Sequence, residues 1–333
     1  MKIVIFGATG SIGVYSATIL KEKGYDVVAV GKRKSDNGFF ADYHIPYFSL
    51  DIKNKDEFKL LPKDIDAVIH LAGAMPAHVR VYNPYEYTDS ILNGTLNILE
   101  YIRECNCKRI IFSQSIADVA YKFGTTVPIL DDCEMLFPMN SDHSVYSICK
   151  NAAVHLIQHY HAKYGVKYFV LRLPTIYGYH PNPFYYVDGK KKWLGYRFLI
   201  EQAIKGETLE LWGNPDNIKE MVCIHDLIHM MECCLNTNVE GGIYNVGCGH
   251  AVTFEEQMNV IADVFQTTKR SDIVYKPELP SSPQFVLDIS KANHELGYAP
   301  KYDIRRLMEC YKHDYYNEPF SKLLGTRSDY IIG

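Results

Sequence analysis

Tyr146 and Lys150 are the two residues whose types and spacing most directly suggest chemistry. They stand four apart in SVYSICKNAAVHLIQHYHAKYG, and on a helix that spacing puts both side chains on one face. A free tyrosine titrates near ~10, so a tyrosine base at neutral pH needs its pKa lowered by about three, or about 4 kcal/mol. One ammonium about 4 Å away, at an effective dielectric of ~20, supplies roughly that much. Lys150 is therefore expected to lower the Tyr146 pKa and make the pair a proton-transfer device. Ser115 follows the apolar run RIIFSQ, and at a strand end its hydroxyl can hold a substrate hydroxyl or carbonyl in place. The same Tyr-x-x-x-Lys spacing recurs by chance as an ordinary helix face. Its meaning depends on what the rest of the chain builds around it.

What such a pair needs beside it is a hydride carrier, and the opening MKIVIFGATGSIG reads as a dinucleotide site. Residues 2–6 are an apolar, β-branched run, as in a buried parallel strand. Gly7, Gly10 and Gly13 follow, then an apolar-periodic segment that ends at Gly24, a helix C-cap signal. In that context Gly7 permits a tight turn, Gly10 admits a diphosphate to the backbone, and Gly13 lets helix pack on strand. The helix's first N–H groups then point at the anion. A second buried strand, DVVAV at 26–30, ends at Gly31 and is followed by Lys32, Arg33 and Lys34. A carboxylate there would grip the ribose hydroxyls and repel a 2′-phosphate. Two or three cations and no acid suit a 2′-phosphate clamp, although a solvated basic turn reads the same way. The expected cofactor is NADP(H) in preference to NAD(H).

Further strands at 46–50, 67–71 and 109–113 alternate with helical patterns at 93–105 and 144–163. This predicts an α/β fold, a Rossmann-type doubly wound parallel sheet. Asp142 or Ser144 is placed to cap the helix that stops at Gly165. His70 reads as a core histidine without a chemical role. Beyond Gly178, YHPNPFYYVDGKKKWLGYRF opens a smaller α/β substrate-binding lobe in which Lys190 to Lys192 read as solvated. Helix 196–205 and strand 209–212 belong to that lobe, while a strand at 243–246 returns helix 227–235 to the main sheet. Helices at 253–265 and 288–296 follow. The dinucleotide-binding domain thus takes 1–178 plus 219–247, and the substrate lobe 179–218 plus 248–333. The tail 314–333 carries no readable signal.

Composition narrows the class of function. A net charge of −4 over 333 residues argues against a broad nucleic-acid-binding face. No apolar run approaches ~18 residues, so no membrane span is expected. The first strand begins at once, which leaves no room for a signal peptide. Nine cysteines (Cys105, Cys107, Cys133, Cys149, Cys223, Cys233, Cys234, Cys248 and Cys310) are scattered without zinc-ligand spacing, as in a reduced, cytoplasmic protein. His225-Asp226 lacks further ligands at suitable spacing, so no metal is expected.

Taken in order, GATGSIG, IHLAGA, NGTLNILEYIR, FSQS, YSICK, LRLPTIYG, KEMVCIHDL, YNVGCG and DISKANHELGYAP resemble the extended short-chain dehydrogenase/reductase family, in its nucleotide-sugar epimerase/dehydratase branch. The resemblance covers nearly the whole chain. It implies a catalytic triad of Ser115, Tyr146 and Lys150. It also implies cofactor contacts from Gly7, Thr9, Gly10, Ser11, Ile12, Gly13, Lys32, Arg33, Asp51, Ile52, Leu71, Ala72 and Gly73, with Tyr146, Lys150, Pro174 and Ile176 at the nicotinamide. Substrate contacts fall to Ser115, Thr175 and Lys219, the last where the family often has arginine for the sugar diphosphate. A homodimer through helices 93–105 and 144–163 and a place in polysaccharide biosynthesis are further implications.

Departures from the family pattern narrow the reaction. Family dehydratases carry an Asp-Glu pair directly after the catalytic hydroxyl residue, and Ile116 and Ala117 stand there instead. Neither can transfer a proton, so dehydration is disfavoured. Epimerase-reductases place a cysteine where Ala117 stands. The usual Val-Tyr-Gly that ends this segment is Asp118-Val119-Ala120, and an asparagine near the NGT helix is Ile91. The resemblance implies a nucleotide-sugar 4-epimerase, with an NADPH-dependent 4-ketoreductase, which the basic Lys32–Arg33 turn favours, as the alternative and a non-catalytic NADP sensor ranked below both.

Overall fold

The apolar run Lys2–Phe6 is a central strand, β1, of a seven-stranded all-parallel sheet in a computed structural model that describes residues 1–78, 81–141, 143–187 and 189–331. In chain order the elements that matter here are α1 (Ser11–Glu22), β2 (Asp26–Gly31), β3 (Tyr47–Ser49), β4 (Ala67–His70) and α2 (Gly94–Glu104). Then come β5 (Arg109–Ser115), α3 (Ser144–Tyr164), β6 (Lys167–Leu173), α4 (Gly195–Lys205) and α5 (Ile224–Asn236). Strand β7 (Gly241–Asn245) and helices α6 (Phe254–Phe265) and α7 (Ile304–Asn317) complete the set. The strand order β7-β6-β5-β4-β1-β2-β3 reverses direction between β1 and β4. Ligands in such sheets sit outside the carboxyl ends of the strands at that reversal.

Alternation of side chains along the buried strands gives each face its own core. Ile3, Ile5 and Ala29 face α1 and α5, whereas Val4, Phe6 and Val68 face α2 and α3. Both faces are covered, as the doubly wound expectation requires. Small two-stranded sheets lie outside the main one, including an antiparallel hairpin of Phe184–Val187 with Lys190–Trp193. Lys190, Lys191 and Lys192 are exposed on it, as read from the sequence.

Several boundaries differ from the sequence reading for local reasons. β5 continues two residues past 113, because Gln114 and Ser115 stay in register with Arg172 and Leu173 of β6. Helix α2 is preceded by a short helix, Pro84–Tyr87, and a π-turn, Thr88–Asn93, which no apolar periodicity announces. The short helix before Gly297 begins at Ser290 because the Asp288 carboxylate accepts the Ser290 N–H at 2.7 Å. Ser144 does not cap α3. It is the first helical residue, and its hydroxyl donates to the Pro138 carbonyl at 2.8 Å and accepts from the Ser141 N–H at 3.0 Å. Asp142, the other expected cap, lies outside the described residues.

The tail has a definite course. Tyr15 of α1 donates to Asp314 at 2.6 Å and packs edge-on to Phe320 with centroids 4.5 Å apart. Lys322 reaches Asp42 at 2.6 Å, and the Lys322 carbonyl accepts from Asn37 at 3.0 Å. Arg327 pairs with Glu201 of α4. Residues 314–327 therefore tie the loop after β2 to α1 and α4. All nine cysteines are free thiols. No helix among the described residues is long and apolar enough to cross a membrane.

Candidate active site

The turn after β1 is shaped by two contacts that exclude side chains. Gly7 has φ +86°, and a Cβ on it would lie 2.8 Å from the Ala72 nitrogen. A Cβ on Gly13 would lie 2.0 Å from the Gly7 carbonyl oxygen, so α1 rests on the turn through bare backbone. Helix α1 starts at Gly10 without a side-chain cap, which leaves its first N–H groups for an anion. Ser11 and Ile12 lie in that first turn. The opening is thus chemically suited to a diphosphate and closed to a bulkier backbone. Gly13→Ala is expected to destabilise the protein by about 1–3 kcal/mol or more, since the obstruction is backbone and cannot rotate away. Thermal or urea melts measure it.

Around the turn, the expected cofactor residues occupy the carboxyl ends of β1, β2 and β4. Thr9 packs on Gly31, where an added Cβ would meet its hydroxyl oxygen at 2.7 Å. Leu71 donates its N–H to the Phe6 carbonyl at 2.9 Å, which brings Leu71 and Ala72 against Gly7, while Gly73 lies beside Ile91. Asp51 is half-buried, and its carboxylate accepts from the Lys53 N–H at 3.1 Å; Ile52 is buried beneath Gly94. Lys32 is exposed. Arg33 also sits at the surface, but its guanidinium donates to the Leu323 carbonyl at 3.1 Å, a tail contact that the sequence did not announce.

Tyr146 and Lys150 meet β5 from α3. Both are buried, and the Ser115 side chain lies close enough to the Tyr146 phenol to lower its pKa. Tyr87 packs edge-on against Tyr146 at 6.0 Å between centroids. The Lys150 Nζ donates to the Ser113 carbonyl at 2.6 Å and lies 4.5 Å from the Phe112 ring centre. Burial pushes Tyr146 up to about 12, partly offset by the Ser115 side chain beside it, and the nearby Asp118 charge raises it further. Burial pushes Lys150 down to about 7. The expectation that Lys150 lowers the Tyr146 pKa is not met in this state. The amine turns to the Ser113 carbonyl and the Phe112 face, and burial outweighs any attraction.

The remaining expected residues lie along one further edge. Pro174 is buried, Thr175 is exposed, and Ile176–Tyr177 pairs in parallel with Val222–Cys223. That pairing brings the segment carrying Lys219 alongside Thr175. Lys219 is half-buried, with its amine 5.7 Å from the Phe254 ring centre, and burial lowers its pKa. His70 is fully buried, with Nε2 3.0 Å from the Thr95 hydroxyl. Burial and the Lys150 charge hold it down to about 3, so it stays neutral, in keeping with its reading as core. His225 opens α5 stacked on Tyr302, and no metal-ligand cluster exists among the described residues.

Two buried charges at this site escaped the sequence reading of roles. Asp118 and Arg172 are 2% and 0% exposed, and the Arg172 Nε lies 3.0 Å from both carboxylate oxygens. A charged residue inside each apolar run, IADVA and YFVLRL, was the available signal.

The chain is similar to known proteins along most of its length. The chain is 27% identical over 305 residues to a putative UDP-glucose 4-epimerase of Methanocaldococcus jannaschii, covering 91% of this chain and 94% of that protein. A UDP-glucose 4-epimerase of Halalkalibacterium halodurans is 25% identical over 316 residues, 91% of each. The crystal structure of a Thermotoga maritima UDP-glucose 4-epimerase has the same fold, with a TM-score of 0.77 at 20% identity over 96% of this chain and 99% of that one. So has a Bacillus cereus UDP-glucuronic acid 4-epimerase, solved with UDP-glucuronic acid and NAD, at a TM-score of 0.73 and 22% identity over 96% and 99%. Residues 3–247 match the sequence model of one family along most of the elements just described. With the glycine turn, the Ser115–Tyr146 contact and Lys150 in place on those elements, the chain belongs to the NAD dependent epimerase/dehydratase family.

Proposed function

We propose that this protein is an NAD(P)-dependent nucleotide-sugar 4-epimerase acting on a UDP-hexose. The observation that carries the reading is the convergence of the Ser115 hydroxyl, the Tyr146 phenol and the Lys150 amine at the carboxyl end of β5, beside a side-chain-free turn. Gly7, Thr9, Gly10, Ser11, Ile12 and Gly13 would cradle the cofactor diphosphate, with Asp51, Ile52, Leu71, Ala72 and Gly73 along the adenosine side and Pro174 and Ile176 at the nicotinamide. A bound nicotinamide dinucleotide supplies the hydride acceptor and donor, and its oxidised ring's positive charge favours the phenolate. Tyr146 takes the proton from the sugar hydroxyl and later returns one. Ser115 holds the sugar oxygen against Tyr146. Lys150, near neutrality in its pKa, keeps a proton within the same buried site. Thr175 and Lys219 contact the substrate, Lys219 as a point charge toward its diphosphate.

In this reading 1–178 with 219–247 holds the dinucleotide, and 179–218 with 248–333 holds the sugar nucleotide. Lys32 and Arg33 favour NADP(H) over NAD(H), because no carboxylate ends β2. That basic turn also favours the second reading, an NADPH-dependent 4-ketoreductase. Exposed Leu96 on α2 and Ile148 on α3 suit burial in a homodimer. The setting would be the cytoplasm.

Purified protein given UDP-galactose and no added cofactor is expected to form UDP-glucose, with a dinucleotide retained on the enzyme. Chromatography of acid-released dinucleotide then distinguishes NADP from NAD, and NAD would defeat the cofactor preference alone. Stoichiometric NADPH consumption on a 4-keto sugar nucleotide, without epimerisation, would replace the epimerase by the reductase. Light scattering on the same sample reports whether it is a dimer.

A further inference from the structure

We infer that Asp118 is a positioning residue for the proposed site: its two-oxygen bond to the buried Arg172 anchors the turn that Ser115 caps, and so fixes the Ser115 hydroxyl against Tyr146. The inference rests on the roles proposed above for Ser115 and Tyr146. β5 ends at Ser115, whose Oγ accepts the Ala117 N–H at 3.2 Å and starts the short 3-10 segment Ile116–Lys122, kinked at Val119. Asp118 is the next residue, and it turns inward rather than to solvent.

Arg172, from the end of β6, is the hub that receives it. Besides Asp118, its Nη1 donates to the Asn245 side-chain oxygen of β7 at 2.9 Å and to the Asp131 carbonyl at 3.3 Å. Asn245 in turn donates to the Ile129 and Asp288 carbonyls at 2.8 and 3.0 Å. One guanidinium therefore locks the carboxyl ends of β5, β6 and β7 to the segment 129–131. The Nη2 atom has no partner among the described residues, so the guanidinium is held by Asp118 through Nε and by Asn245 and backbone carbonyls through Nη1. Asp118 is its one ion-pair partner among the described residues, and a buried cation constrains such a carboxylate closely.

Asp118 also acts electrostatically. Its charge reaches Tyr146, whose other neighbours are Ser115 from β5, Tyr87 from the helix before α2 and Lys150 one turn along α3. Around Asp118 itself stand Arg172 and Tyr146, with Asp131 and Lys291 beyond the guanidinium. Burial raises the Asp118 pKa to about 6 despite Arg172, so the charge is present at neutral pH and lost in mild acid.

The test compares wild type with Asp118→Asn and with the double substitution Asp118→Val/Arg172→Met. Asp118→Asn strands a buried cation and is expected to melt well below wild type. The double substitution replaces the pair by apolar groups and is expected to melt near wild type. Yet its kcat on UDP-galactose should fall about 10²-fold, with KM within about 2-fold, because Ser115 is no longer held in place. The acid limb of its kcat profile should move to lower pH, since the carboxylate no longer opposes the phenolate. A double variant with wild-type kcat and pH profile would overturn the inference. If the wild type turns over no UDP-sugar, the functional reading fails instead. A crystal structure of the double variant then decides the positioning separately: a displaced Ser115 hydroxyl supports it, and an unchanged Ser115–Tyr146 contact overturns it.

Discussion

Tyr146→Phe is expected to lower turnover of a UDP-hexose by about 10²–10⁴-fold, the range lost when a positioned acid–base group is removed. The substitution deletes one oxygen whose identified partner is Ser115, so stability should change by no more than about 1 kcal/mol. The ring stays packed against Tyr87. Because the phenol sits at about 12 before any ligand binds, its deprotonation at neutral pH must be driven by the bound state. The pH at which wild-type kcat reaches half its maximum should therefore lie far below that value. Single-turnover measurements with matched thermal melts separate loss of chemistry from loss of fold. Unchanged turnover in Tyr146→Phe would remove the proton-transfer role and return the non-catalytic sensor to consideration.

Lys150→Met is expected to do two opposite things, weakening catalysis while stabilising the cofactor-free protein. The amine is buried without a carboxylate against it, and burial holds its pKa near 7 instead of the ordinary 10.5. Between those values the unfolded chain binds more protons than the native one, so stability rises with pH across that window. The destabilisation is complete below about pH 7 and fades as the pH approaches 10.5. A pKa held that low corresponds to about 5 kcal/mol. Losing the bond to the Ser113 carbonyl returns about 1 kcal/mol of it. Urea melts of cofactor-free protein should then show Lys150→Met more stable by about 2 kcal/mol or more at mildly acidic pH, with the gain shrinking in alkali. The same variant should lose activity by about 10²-fold or more, since methionine carries no charge or proton. A variant less stable than wild type in acid would mean that Lys150 is held charged by a group not identified.

These two expectations depend differently on what the chain reveals locally. The Tyr146–Lys150 spacing lies on one helix, and helical periodicity fixes that both side chains share a face before any packing is considered. How each is then titrated depends on neighbours from other elements. Ser113 and Phe112 draw the Lys150 amine toward β5, and Asp118 sits near the Tyr146 hydroxyl. Sequence arithmetic with one ammonium at contact distance left out burial, and burial is the larger influence on both groups. The basic turn after β2 shows the same division. Its charges are legible in Lys32 and Arg33, but the Leu323 carbonyl that occupies the Arg33 guanidinium lies almost the full chain away.

By itself the sequence determined the strand–glycine turn–helix opening, the alternation that makes a doubly wound sheet, and the placement of Tyr146 and Lys150 on one helical face. These follow from periods of two and 3.6 residues and from glycine's freedom at positive φ, all of which act over a few neighbouring residues. The tertiary structure alone decided that Ser115 lies within β5 rather than beyond it, that Asp118 meets Arg172, and that the tail binds the loop after β2. Each of those depends on strand register or on burial between elements far apart in the chain. There the cost of an unpaired buried charge selects the partner, and nothing in the residues nearby records which partner that will be.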